Sequence, residues 1–258
     1  MEVGIEDKGS SFADEGTAAH ELAGYCLEHR TDPWDFDGVE VNVYDGKCSL
    51  FGYNDPTEYK TLTSWTVDQE MIEHVIDYIA IVQDYLKIEK SILFVEKKVD
   101  FSSFIGQPDS FGTADAIVVT PDELICIDFK YGQGVQVEAE NNPQLMLYAL
   151  GCLNTYGLMS EFKTVRMVVH QPRKRHFSEW DCTVEKLLQF GQEAQVAATR
   201  AKFVLDKPTK DNLDISLNPG ENQCKWCKAK GTCEALARKV SSAIADDFVD
   251  LSDEEDVI

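Results

Sequence analysis

The stretch that decides the fold runs from residue 112 to residue 130 and reads Gly-Thr-Ala-Asp-Ala-Ile-Val-Val-Thr-Pro-Asp-Glu-Leu-Ile-Cys-Ile-Asp-Phe-Lys. It contains two apolar runs, 112–119 and 124–129, on either side of Thr-Pro-Asp-Glu. A Pro-Asp pair between two apolar runs is typical of a tight turn between strands. The stretch therefore predicts a β-hairpin whose strands are largely buried.

The register of this hairpin brings two acids together. If the turn is centred between Pro121 and Asp122, Asp115 and Asp128 are equally far from the centre and lie directly opposite each other. Residues paired in this way have Cβ atoms about 5 Å apart. Lys130 follows Asp128 by two residues and therefore shares its face of the strand.

This arrangement predicts a phosphodiester-hydrolysing site. Facing carboxylates repel each other unless one takes up a proton or a metal ion binds, and oxygen ligands favour Mg²⁺ or Mn²⁺. A lysine beside the ion can stabilise charge on a phosphate. The alternative is an exposed Asp115 and a surface ion pair between Asp128 and Lys130. Acids within apolar strands are unfavourable without a partner, which favours the site.

The rest of the chain predicts an α/β fold with a mixed central sheet flanked by helices. Apolar residues at helical spacing predict helices over 13–30, 66–88, 143–154 and 183–205. Strands are expected over 91–101 and 164–170. The segment 31–64 is rich in Asp, Gly and Tyr, and we expect it to be an irregular insertion.

The formal net charge of −22 is unusual for a protein that binds nucleic acid. The excess of acids is concentrated in residues 1–100 and in the last segment, 246–258, so residues 101–245 are close to neutral. The acidic segment 246–258 is expected to be disordered and could bind a protein partner. No signal peptide or apolar span long enough for a membrane is present, so the expected location is cytoplasmic.

Three of the eight cysteines are closely spaced as Cys224-x2-Cys227-x5-Cys233. A disulfide framework is unlikely to form in the cytoplasm, and clustered cysteines there usually bind metal. Zinc sites and iron–sulfur clusters both usually take four protein ligands, so one ligand has to come from elsewhere in the chain.

Four short motifs carry a resemblance to a known family: 15–20 (Glu-Gly-Thr-Ala-Ala-His), 112–115 (Gly-Thr-Ala-Asp), 127–130 (Ile-Asp-Phe-Lys) and 144–148 (Gln-Leu-Met-Leu-Tyr). In this order they resemble the RecB-type branch of the PD-(D/E)XK nucleases, including phage-associated and Exonuclease V-like proteins. The resemblance implies one restriction-endonuclease-like domain over 1–245 with a C-terminal cysteine-cluster appendage at 224–233.

The resemblance also implies roles for individual residues. His20, Asp115 and Asp128 would be metal ligands, together with the backbone carbonyl of Phe129. Lys130 would be the catalytic lysine. The remaining two candidates are Gln144 and Tyr148, four residues apart on one helix face and able to point at the site or at DNA. Tyr148 could instead be a core aromatic residue with a satisfied hydroxyl.

For the cysteines, the resemblance implies a 4Fe–4S cluster held by Cys224, Cys227, Cys233 and a cysteine near the N-terminus, with zinc as the alternative. Cys26 is the candidate for this fourth ligand, although it is also typical of a buried helix cysteine. Cys48 is another possibility, and the ligand could also be missing from this chain.

The sequence therefore predicts a metal-dependent DNA nuclease, and within that class an exonuclease of phage or bacterial DNA processing or recombination. Its expected partner is linear or single-stranded DNA. Two alternatives belong to other classes of function. One is a non-catalytic nuclease-like module that binds DNA ends or a partner. The other is an acidic interaction protein that mimics DNA.

Overall fold

The computed structural model describes residues 11–44, 47–49, 61–209, 211–212 and 216–253, and side chains over 14–43, 63–209, 211–212 and 216–245. The chain forms two compact units, Gly9–Ala198 and a second that contains Thr199–Ile258. The boundary between these units falls inside the single domain expected over 1–245, which stays a prediction. Among the helices that the structure describes, none is long and apolar enough to cross a membrane.

The first unit contains most of the regular structure. Its helices are α1 (Ser11–His29), α2 (Gln69–Tyr85), α3 (Ser102–Ile105), α4 (Pro143–Tyr156) and the larger part of α5 (Val184–Asp206). Its strands are β1 (Glu40–Tyr44), β2 (Lys47–Ser49), β3 (Thr61–Thr66), β4 (Ile92–Asp100), β5 (Phe111–Val119), β6 (Glu123–Phe129), β7 (Thr164–Gln171) and β8 (His176–Thr183).

The central sheet has the order β4-β5-β6-β7-β8. Strands β6 and β7 run parallel, whereas the other neighbours are antiparallel. A parallel pair needs a long crossover, and α4 lies in the connection between β6 and β7. The predicted α/β class with a mixed sheet and flanking helices is therefore confirmed.

The hairpin of β5 and β6 has the predicted register. Val119 pairs with Leu124, and Ala116 pairs with Ile127, where the antiparallel ladder ends. The turn is closed by the N–H of Thr120, which donates to the carbonyl of Glu123 at 3.0 Å. The next residues beyond the ladder are Asp115 and Asp128, so the candidate site lies at the open end of this hairpin.

Two hydrophobic clusters cover the two faces of the sheet. The first packs α1 and α2 against alternate residues of β5 and β6, such as Val118 and Ile125. The second packs α4 against the intervening residues, such as Ile117 and Leu124. Full burial of one such side chain stabilises the fold by about 1.5–3 kcal/mol. These clusters hold α1 and α4 on either side of the hairpin.

The prediction of an irregular insertion over 31–64 is wrong for the part that the structure describes. Residues Pro33–Phe36 form a 3-10 helix, and β1, β2 and β3 form a separate sheet of order β2-β1-β3. Val41 and Val43 of β1 are buried while Asn42 between them is not, which is the period expected of a strand. Residues 45–46 and 50–60 lie outside the described residues.

The second unit contains the end of α5, then α6 (Glu221–Cys224), a 3-10 helix at Lys230–Thr232 and α7 (Glu234–Asp253). Helix α7 extends to Asp253 and so into the segment 246–258, whose expected disorder stays a prediction. No glycine or proline interrupts the sequence of this helix, so nothing in the local sequence ends it earlier. Residues 254–258 and the side chains from 246 onward lie outside the described part.

Candidate active site

Three side chains with metal-binding groups meet at the open end of the hairpin. They are His20 from α1, Glu96 from β4 and Asp115 from β5, and their ligand atoms all lie within 4.8 Å of one another. The Nδ1 atom of His20 is 3.2 Å from Oδ1 of Asp115. This spacing suits ligands around one small cation. The sequence predicted His20 and Asp115 as ligands, and the structure brings them together.

Asp115 is fixed by a backbone hydrogen bond from the neighbouring strand. The N–H of Phe129 donates to Oδ2 of Asp115 at 2.7 Å, just beyond the last ladder pair of the hairpin. The carboxylate thus accepts the hydrogen bond from Phe129 that a backbone carbonyl would accept in a continued ladder. One oxygen of Asp115 is held by the sheet, and the other faces His20 of α1.

Sequence reasoning missed Glu96. It lies opposite Asp115 in β4, between the pairs Val95–Ala116 and Lys97–Ala114. Its φ of 50° is in the left-handed region, which is strained for a residue with a side chain. Strain of this kind is often found at functional sites. An alternating strand sequence contains no signal of a single left-handed residue, so the sequence alone could not identify it.

The second half of the site is a buried ion pair. Asp128 is only 5% exposed, and the ammonium of Lys130 lies 3.0 Å from its Oδ2 and donates to its Oδ1 at 3.1 Å. The Oδ2 atom is buried and accepts no hydrogen bond of good geometry. An acceptor left in this state is costly unless another positive group binds it, and a cation would complete its coordination.

The charges of the site act on one another. Burial raises the pKa of Asp128 to about 6, with a further contribution from the charge of Asp115. Burial and then Asp115 also raise the pKa of Glu96 to about 7. Burial disfavours the charged imidazole of His20, but Asp115 outweighs this and raises the pKa to about 9. The carboxylates therefore repel one another, and a divalent cation would relieve the repulsion.

Gln144 and Tyr148 lie on α4 as predicted. Asn142 caps this helix by accepting from the N–H groups of Gln144 and Leu145. The side-chain amide of Gln144 donates to the hydroxyl of Tyr148 at 3.0 Å. Asp128, acting against burial, raises the pKa of Lys130, and Asp115 and Tyr148 make smaller contributions in the same direction.

Gly112 explains how the tyrosine reaches this position. A Cβ atom at Gly112 would collide with the ring of Tyr148. The absence of a side chain at this point in β5 lets the aromatic ring lie directly on the strand. The glycine of the Gly-Thr-Ala-Asp motif therefore has a packing role beside the acid.

The side chain of Phe129 packs behind the acids of the site. It is fully buried, stacks on Tyr78 of α2 with ring centroids 4.6 Å apart and lies 5.3 Å from the ring of His20. These contacts connect α1 and α2 to β6 behind the acids. The role of the Phe129 carbonyl as a metal ligand stays a prediction.

A cavity of about 370 Å³ opens beside His20 and Lys130, and it is also lined by Gly16, Thr17 and Tyr131. A volume of this order accommodates a small ligand or one nucleotide-sized group. Arg173 lies near its rim, above the ring of Tyr131, and is paired with Glu15 at 2.7 Å. The cavity is thus lined by His20 of the three-residue cluster and by Lys130 of the ion pair.

The cysteines fall in both units. Cys26 is buried in the first hydrophobic cluster, where burial raises the pKa of its thiol. Cys224, Cys227 and Cys233 belong to the second unit and are free and partly exposed. Within the described side chains, these three sulfurs are not gathered within 4.8 Å of one another. The Cys48 side chain lies outside that description, and the ligand role of Cys26 stays a prediction.

A comparison with solved structures found one described as "Crystal structure of SSO0001". It is 11% identical in sequence, and the match covers 91% of this chain and 90% of that chain with a TM-score of 0.27. A score this low supports no conclusion about fold or function. Residues 1–256 match the family described as "Protein of unknown function (DUF2800)", and the chain belongs to that family.

Proposed function

We propose that this protein is a metal-dependent DNA nuclease that hydrolyses phosphodiester bonds, with the restriction-endonuclease-like core of the RecB-type PD-(D/E)XK proteins that its motifs resemble. One observation carries the proposal. The cluster of His20, Glu96 and Asp115 adjoins the buried Asp128–Lys130 pair at the open end of a single hairpin. A surface ion pair alone would need neither the burial nor the converging acids.

The residues fit a hard divalent cation, Mg²⁺ or Mn²⁺. Its ligands would be Glu96, Asp115, Asp128 and His20. The Oδ2 atom of Asp128 accepts no hydrogen bond of good geometry, so it is available as an acceptor for the ion. When bound, such an ion polarises a phosphoryl oxygen and makes water a better nucleophile. The mixture of carboxylate oxygens with one imidazole favours Mn²⁺ more than an all-oxygen site would.

Lys130 is the group that would act on the phosphate. Its side chain is 28% exposed and lines the cavity, while Asp128 raises the pKa of its ammonium. The ammonium can therefore donate to a non-bridging phosphate oxygen and stabilise the negative charge that develops during hydrolysis. Tyr148 and Gln144 would hold the lysine and contact the nucleic-acid backbone.

Substrate binding should require the cation. Without it, the acids repel a phosphate, and the net charge of −22 adds to that repulsion. A substrate end that reaches the cavity suits exonucleolytic cleavage of linear DNA. We further propose a structural 4Fe–4S or zinc centre at Cys224, Cys227 and Cys233, and a protein partner for the acidic segment 246–258.

The metal site is tested by titrating the purified protein with Mn²⁺ in a calorimeter and by assaying cleavage of end-labelled linear DNA. Asp115→Asn and Glu96→Gln should each weaken Mn²⁺ binding by at least about tenfold and slow cleavage. His29→Ala, at an exposed histidine on the same helix as His20, is the matched control and should bind Mn²⁺ normally. Unchanged Mn²⁺ binding in Asp115→Asn would refute the site.

The cysteine centre is tested separately by metal analysis and visible absorption of anaerobically purified protein. Iron with acid-labile sulfide supports the cluster, and stoichiometric zinc without colour supports the alternative. Cys227→Ser should lower the bound metal. Protein that carries neither iron nor zinc would refute a metal centre at these cysteines.

A further inference from the structure

A cation and an exposed aromatic ring lie on the same face of the sheet as the candidate metal site. Glu96 faces Asp115 across β4 and β5, and the next pairs along the same face are Lys98 with Thr113 and Asp100 with Phe111. Val99 and Ala114 pack in the second hydrophobic cluster, so Lys98 and Thr113, which alternate with them, face the α1 side, where Glu96 and Asp115 meet His20. The two strands thus carry a continuous polar row from the acids to Phe111.

Lys98 and Phe111 form a compact pair at the far end of this row. The ammonium of Lys98 lies 3.5 Å from the centroid of the Phe111 ring, and Phe111 is 50% exposed. The ring therefore presents an accessible aromatic surface beside a positive charge. Asp100 lies nearby, but Ser102 already binds its carboxylate through an N–H at 2.8 Å.

We infer that Lys98 and Phe111 form a subsite for single-stranded nucleic acid, in which a base stacks on Phe111 and the adjoining phosphate binds Lys98. This inference rests on the proposed nuclease function and specifies its substrate. Single-strand binding sites combine cations that follow the backbone with aromatic rings on which bases stack. Bases in a duplex are already stacked on their neighbours, so only an unpaired end can use the ring.

The spacing fits a single strand of nucleic acid that runs along the sheet into the metal site. Phe111 precedes Asp115 by four residues of β5, which corresponds to about 13 Å of strand. Stacked nucleotides advance about 3.4 Å each, so this distance covers about four of them. The pair would therefore hold a nucleotide near the scissile phosphate without touching the reacting atoms.

The chain offers matched controls on the other edge of the sheet. Phe177 of β8 is 49% exposed, almost the same as Phe111. The ammonium of Lys186 lies 4.6 Å from the ring of Trp180, which is partly buried, and forms another cation–aromatic pair. If Phe111 and Lys98 act only as surface residues, these controls should behave in the same way.

The test measures binding of a labelled oligothymidylate in Ca²⁺ and its cleavage in Mn²⁺. Phe111→Ala should weaken binding by roughly 5- to 100-fold and raise KM more than it lowers kcat, whereas Phe111→Trp should retain binding. Lys98→Ala should reduce the salt dependence of binding. Phe177→Ala and Lys186→Ala should bind as the wild type does.

Two results would overturn the subsite. One is oligothymidylate binding by Phe111→Ala equal to that of Phe177→Ala, and the other is an equal loss of affinity for a blunt duplex. Hydrolysis of bis(p-nitrophenyl) phosphate by the wild-type protein in Mn²⁺ tests the proposed function separately, because this substrate has no bases. Hydrolysis of that substrate with unchanged oligothymidylate binding in Phe111→Ala would refute the subsite alone.

Discussion

The two ends of the β5–β6 hairpin differ in kind. At the turn end, buried apolar pairs such as Val118 and Ile125 follow a regular register. At the open end the ladder stops, Asp115 and Asp128 occupy the next positions beyond its last pair, and Glu96 on the neighbouring strand has a left-handed backbone. One register thus serves two purposes. Apolar packing at the turn end stabilises both strands. That stability offsets the unfavourable free energy of the charges at the open end.

The largest effect is expected from removing a charge at the open end. Asp128→Asn should slow DNA cleavage by at least about a thousandfold, because Lys130 loses the carboxylate with which it is paired. Initial rates of cleavage of labelled linear DNA measure this, with circular dichroism to establish folding. Asp122→Asn, at an exposed ion pair with Lys163 in the turn of the same hairpin, should cleave normally.

Removing apolar volume at the turn end should have the opposite effect, a loss of stability with the rate of cleavage retained. Ile125→Ala should lower the free energy of unfolding by about 2–5 kcal/mol, because Ile125 is completely buried. Urea unfolding measures the loss, and Ile125→Val should lose only about 0.5–1.5 kcal/mol. The folded fraction of Ile125→Ala should retain its rate of cleavage. A stable Ile125→Ala protein would contradict the assigned core.

Gly112→Ala tests the packing of Tyr148 at the open end. The added methyl group has to displace the tyrosine ring, so the substitution should cost about 1–3 kcal/mol of stability and also slow cleavage. Thermal unfolding and the cleavage assay together separate the two effects. Gly134→Ala, where a Cβ would meet nothing within 4 Å, is the control and should leave cleavage unchanged.

The smallest effect concerns the strain at Glu96. Because a left-handed φ suits glycine better than alanine, Glu96→Gly should be about 1 kcal/mol more stable than Glu96→Ala. Urea unfolding of the two variants measures the difference directly. Equal stability, or a more stable alanine variant, would mean that the backbone at this position is not strained.

The sequence predicted the elements whose pattern is local. The Pro-Asp turn and the two apolar runs were enough to predict the hairpin register. That register in turn predicted that Asp115, Asp128 and Lys130 lie at the same end of the hairpin. Pro143 likewise marked the start of α4. In each case the residues that determine the structure are close together in the sequence.

What could not be predicted depends on contacts between distant segments. Strand β8 is an edge strand in which Cys182 is the buried residue, so its apolar pattern is weak. Glu96 joins the site only because β4 pairs with β5 and α1 lies above both strands. The position of Tyr148 depends on a glycine in another element. Each of these features depends on tertiary packing, which no local sequence pattern indicates.

The central claim is tested most directly by incubating end-labelled linear DNA with the wild-type protein and with Asp115→Asn, purified in parallel, in Mn²⁺, in Mg²⁺ and in EDTA. The account predicts cleavage by the wild-type protein in at least one of the two metals, none in EDTA and much slower cleavage by Asp115→Asn. Intact DNA with the wild-type protein in both metals, or equal cleavage by the two proteins, would contradict it.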